Sequence, residues 1–159
     1  MRALTIWQPW STLIIIGAKP YEFRRWNYAE RFPQIVDQRI AVHAGARPMR
    51  RDELMDIADS LDEGESALDP DKARAMLDRI QSAVFSPRAL PLACVLGTAI
   101  LHRPVRAFDL FKHQVADSSR LDQHMWAWPL TEIVRFDEPV PYRGAQGFWE
   151  FPDALARAA

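Results

Sequence analysis

The stretch 3-ALTIWQPWSTLIIIGAKPYEFRRW-26 decides the fold. ALTIW, residues 3–7, is rich in β-branched and aromatic residues and reads as a strand. Pro9 then stands where a first helical turn would begin, and Gly17 where a helix would stop. The intervening PWSTLIII is apolar on every side, and its isoleucines alone would suit a strand equally well. The proline start and glycine stop decide for a short buried helix of about two turns. After Gly17, YEFRRW alternates as a strand, with Glu22, Arg24 and Trp26 on one face and Tyr21, Phe23 and Arg25 on the other.

Working outward, RIAVHA (residues 39–44) is a second strand, with His43 and Arg39 opposite Ile40 and Val42. Helical spacing joins Leu54, Ile57, Ala58 and Leu61, and again Ala73, Met76, Leu77 and Ile80. Asp69 and Pro70 supply an N-cap and a first-turn proline for the second of these helices. From Leu92 the pattern returns to strands. ACVLGTAIL carries Gly97 inside an apolar run, which suits a bulge or a sharp bend. HMWAWPL, TEIVRF and GFWEF follow as separate strands, divided by turns such as DEPVPYRG. Strands at both ends with two helices between them predict an α+β fold on a small β-barrel. A chain of 159 residues without repeat or linker predicts one domain, with an acidic helical insertion at about 49–84.

The net charge of −1 conceals a split. Between Lys19 and Arg51 eight basic residues stand against three acids; between Asp52 and Ile80 ten acids stand against three bases. Such a split gives either a local positive face or simply two stretches of solvated surface. Cys94 is the only cysteine, so no internal disulfide forms, and in LACVL it reads as a small buried thiol. No apolar run reaches the length of a membrane span, and the opening residues lack the pattern of a signal peptide. A cytoplasmic protein is the expectation. The histidines and the cysteine show no metal-ligand spacing, and no glycine-rich nucleotide loop is present, so neither metal nor cofactor is expected.

Gly17, Lys19, Glu22 and Arg24 form G-x-K-x-x-E-x-R, preceded by Gln8-Pro9-Trp10 and answered near the far end by HMWAWPL and PYRGAQGFWEF. In these three patterns the chain resembles the ASCH (activating signal cointegrator homology) domain family, from Ala3 to Phe151, least so in the acidic middle. The resemblance implies a PUA-like β-barrel and a cleft beside the first helix, lined by the signature. It also implies binding of RNA or single-stranded nucleic acid, or of a modified pyrimidine nucleoside. Some members hydrolyse N4-acetylcytidine and ribonuclease activity is attributed to others. In the acetylcytidine-hydrolysing branch a threonine stands three residues after the lysine, where this chain has Glu22.

The residues support several readings. Lys19 can donate to a phosphate or a carbonyl oxygen, and Glu22 can pair with it or take a proton from water. In a hydrolase these two would be the catalytic residues, the lysine stabilising an oxyanion and the glutamate acting as base. Equally, Glu22 and Arg24 can form a purely structural ion pair. Trp10 and Trp128 are the candidates for base stacking, while Trp7 and Trp149 read as barrel core. His43 suits either a general base or a packed histidine. Gly17 and Arg25 join the ligand-binding set, with Arg47, Arg50 and Arg51 as phosphate contacts. The favoured reading is an RNA- or nucleoside-binding domain, followed by a hydrolase and then a peptide-binding domain, against which the charges of the motif argue.

Overall fold

A computed structural model describes residues 1–64, 66–81, 86–111 and 125–158. His113 and His124 lie outside these residues. In chain order the elements are β1 (Arg2–Ile6), α1 (Trp10–Ile15), β2 (Tyr21–Arg24), α2 (Tyr28–Arg31), a 3-10 turn (Pro33–Ile35) and β3 (Gln38–Ala44). The chain continues through α3 (Arg51–Asp62), α4 (Pro70–Gln81), β4 (Cys94–Leu101), β5 (Val105–Arg106) and α5 (Ala107–Phe111). It closes with β6 (Trp126–Pro141), β7 (Phe148–Glu150) and α6 (Asp153–Ala158).

The strands join in one mixed sheet in the order β2-β6-β4-β3-β1-β7, with β5 also on β6. β1 runs parallel to β3, Ala3 opposite Ala41, and antiparallel to β7, Ala3 opposite Trp149. The sheet curls because β6 serves two neighbourhoods. Its first residues pair with β2, Glu22 opposite Trp128, and its remainder pairs with β4, from Leu130 opposite Leu101 to Pro141 opposite Cys94. Slips in the β4–β6 register on both sides of Thr98 bend the strands. Gly97 sits at this bend, where a β-carbon would stand 2.3 Å from the Val134 carbonyl oxygen. The expected boundary between HMWAWPL and TEIVRF, and the turn at DEPVP, are thus corrected to one strand. Pro139 and Pro141 survive in it because, among the described residues, this part of β6 pairs with β4 alone, where a missing N–H need break no ladder.

The result is an α+β fold, a small barrel left unladdered between β2 and β7. Side chains cover that opening. Phe148 of β7 stacks on Trp128 of β6 at 5.8 Å between ring centroids and meets Trp26, just after β2, edge to face at 6.4 Å. Inside the curl lie Leu4, Ile14, Tyr28, Val42, Leu101 and Trp128. A second apolar cluster joins α1 to α3 and α4 through Leu13, Met49, Leu54, Ile57, Met76 and Leu77. Each such leucine or isoleucine contributes roughly 2 kcal/mol by leaving water. Asp69 caps α4, its carboxylate accepting the Lys72 N–H at 3.1 Å.

Candidate functional site

The position of α1 fixes the site. Gln8 is fully buried and its amide donates to the Pro91 carbonyl at 2.8 Å, while its Oε1 accepts from the Thr12 N–H at 3.3 Å. At the other end Gly17 adopts φ 73°, which costs glycine little, and the Ala18 and Lys19 N–H groups both turn back to the Leu13 carbonyl. That reversal points Lys19 under α1 and starts β2 two residues later.

Lys19 and Glu22 are 4 % and 7 % exposed, which is unusual for a pair of charges. The Lys19 ammonium lies 3.3 Å from Glu22 Oε2 and donates to the Tyr21 carbonyl. It sits 4.8 Å from the centre of the Phe23 ring and 5.9 Å from that of Trp10. Glu22 Oε1 lies 2.9 Å from Arg24 Nε, an ion pair in which the N–H is out of line for a hydrogen bond. Arg24 Nη2 donates across to the Thr5 carbonyl of β1 at 3.3 Å. Lys19, Glu22 and Arg24 therefore form one line of charge from beneath α1 to the far side of the opening.

These three residues line a cleft of about 1270 Å³. Its walls also carry Arg31, Arg47, Arg50 and Arg143, so six cations face two carboxylates, Glu22 and Glu53, an excess of four positive charges. Trp7, Trp10 and Trp26 supply ring surface.

His43, 2 % exposed, lines the cleft but faces a closed set of partners. Its Nε2–H donates to the Tyr142 carbonyl at 3.0 Å. Its Nδ1 then accepts from the Thr5 hydroxyl at 3.2 Å, and that oxygen accepts from Trp149 Nε1 at 3.0 Å. Burial pushes the imidazole below its ordinary pKa, against the smaller opposing effect of the bond to Tyr142. His43 is thus a neutral, packed link between β1, β3 and the 142–149 segment.

Several expected site residues are placed otherwise than an open binding wall requires, or stand elsewhere. Trp128 lies in the cleft wall but is completely buried, its Nε1 donating to the Trp26 carbonyl at 3.2 Å and one ring face covered by Phe148, so it presents no open face to a base. Gly17 accepts a bond from Lys72 at 3.4 Å, on the opposite side of α1, and serves as the helix stop. Arg25 and Arg51 are exposed and do not line the cleft. Arg47 does line it, but is held bidentately by Glu53 at 2.6 and 3.2 Å. Arg50 lines it too; it pairs with Asp52 at 2.6 Å while remaining mostly exposed.

Trp7, expected in the core, is 57 % exposed at the mouth, with the Arg47 guanidinium 4.3 Å from its ring centre. Its alternation with Thr5 along the first strand was the available signal. Arg31 and Arg143 were missed as cleft cations. Arg143 lies in the PYRGAQG turn, whose contribution depends on β7 folding back onto β1. Among the described residues no group of His, Cys, Asp and Glu is arranged to hold a metal, and no helix is long and apolar enough to cross a membrane.

No family model matches the sequence, and no curated protein matches it. Among solved structures the chain is similar to one described as the crystal structure of ASCH from Zymomonas mobilis. The identity is 13 %, 98 % of this chain and 90 % of that one are covered, and the TM-score is 0.49.

Proposed function

We propose that the cleft binds RNA or a nucleoside. The observation that carries this reading is the excess of four positive charges lining a cleft of about 1270 Å³ in a chain whose net charge is −1. A polyanion is attracted to such a wall, and release of its counterions makes the binding steeply salt-dependent. Arg31, Arg50 and Arg143 are the exposed cations at the rim and would meet phosphates. Trp7 and Trp10 replace Trp128 as surfaces for a base, each stack contributing about 1–3 kcal/mol. Lys19 and Glu22 lie deeper and offer one donor and one acceptor to the edge of a flipped or unpaired base.

Fluorescence anisotropy with a labelled single-stranded RNA at two salt concentrations tests the reading. Binding that weakens steeply with salt is expected. Absent or salt-insensitive binding overturns it.

A second reading, hydrolysis of an N4-acylated cytidine or of RNA, is favoured by the 3.3 Å approach of the buried Lys19 and Glu22. There Lys19 would stabilise the oxyanion and Glu22 would accept a proton from water. Turnover of N4-acetylcytidine or of an RNA oligomer that is lost in both Lys19→Ala and Glu22→Ala is its expected sign. Equal turnover in the variants and the parent removes these residues from any mechanism.

A further inference from the structure

A second cavity, of about 460 Å³, lies on the other side of α1 and shares no lining residue with the cleft. We infer that it binds a small amphiphilic carboxylate, an acid head on an apolar body. The cavity falls in the size range of small-molecule sites, which are mostly apolar with a few placed polar groups. Its floor comes from Ile15 of α1, Met76 of α4, Leu96 of β4 and Phe136 of β6. These surfaces suit a hydrocarbon chain or a ring and offer nothing to a sugar or a peptide backbone.

The polar groups around this floor are of one sign. Lys72, Arg79 and Arg135 line the cavity, and no carboxylate does among the described residues. Lys72 is anchored at one edge by Asp69 at 3.0 Å and by the Gly17 carbonyl at 3.4 Å. Thr12 also lines the cavity. An apolar floor and an all-cationic margin together specify an anion with an apolar tail. A neutral or cationic amphiphile meets only part of that set.

The test uses decanoate, read by displacement of 8-anilinonaphthalene-1-sulfonate fluorescence from the whole chain, with decanol and decylammonium as controls. Saturable one-to-one displacement by decanoate is expected, with decanol about tenfold weaker, the worth of one charge-assisted contact. Ala75 is exposed and lines the cavity, so Ala75→Trp should block entry without disturbing the core, and decanoate binding should disappear. Arg135→Glu should weaken decanoate about threefold, as befits an exposed charge, and leave decanol unchanged. Circular dichroism of both variants should match the parent. Absence of saturation, equal affinity for decanol, or decanoate binding retained in a folded Ala75→Trp each overturns the proposal.

Discussion

At the scale of the residue, the buried Lys19–Glu22 pair separates stability from function. Removing one partner of a buried pair leaves an uncompensated charge, whereas replacing both with apolar groups of similar volume is often neutral. Glu22→Ala should therefore lower stability by about 3 kcal/mol. The double variant Lys19→Met/Glu22→Leu should recover most of that loss yet still fail to bind ligand. Urea denaturation of the two variants, alongside RNA titration, checks both halves. A single variant as stable as the parent would mean that the pair holds nothing together.

His43 gives a second prediction. Its folded pKa lies below the unfolded value of about 6.5, so the unfolded chain takes up the proton first as pH falls. The stability tied to the neutral ring is fully present above about pH 6.5 and is lost as pH falls toward the folded value. His43→Gln should flatten this dependence, seen as a smaller difference in melting temperature between pH 8 and pH 5 than in the parent. The local motif was legible because Gly17 to Arg24 is contiguous: turn, lysine and alternating strand face are all written within a few residues. Trp128 misled for a physical reason. Its position on a strand face is readable, but which face the curled sheet encloses is set by Phe148, far along the chain.

At the scale of the element, α1 was legible from its punctuation and α3 and α4 from their apolar spacing. β6 was not. Glu138, Pro139 and Pro141 carry the composition of a turn, and only their place alongside β4 makes them strand. The β4–β6 contact also yields a test. A β-carbon at Gly97 would meet the Val134 carbonyl at 2.3 Å and the Arg135 Cα at 3.0 Å, backbone atoms that cannot step aside without moving the strand. Gly97→Ala should cost about 1–3 kcal/mol, at least that of an overpacked core position, measurable as a lower denaturation midpoint. An unchanged midpoint would show the two strands to be further apart.

At the scale of the whole molecule, the cleft is an electrostatic exception on a nearly neutral chain. Its rim comes from segments distant in sequence: Arg31 in α2, Arg50 before α3 and Arg143 after β6. That is why charge counting located a basic segment but not the wall. Reversing two rim charges, Arg31→Glu with Arg143→Glu, cancels the excess of four. RNA affinity should then fall by at least about tenfold at low salt, and the salt slope should flatten. Anisotropy titrations across a salt series measure both, and an unaltered slope would place the phosphates elsewhere. The fold class was readable from strands at both ends with helices between; the cleft needed the ends brought together.

The pairing of β1 with β7 also governs when this protein can exist at all. β1 has one neighbour in β3, but its other edge waits for Phe148–Glu150, which follow far later in the sequence. The Thr5 hydroxyl, already beside His43 across the β1–β3 pair, meets the Trp149 indole only then. Pairings this remote in sequence are slow to form, and an open strand edge invites association with other chains. During synthesis the cleft is therefore among the last features to appear, and a truncated nascent chain would carry Lys19, Glu22 and Arg24 without the wall formed by residues 143–147.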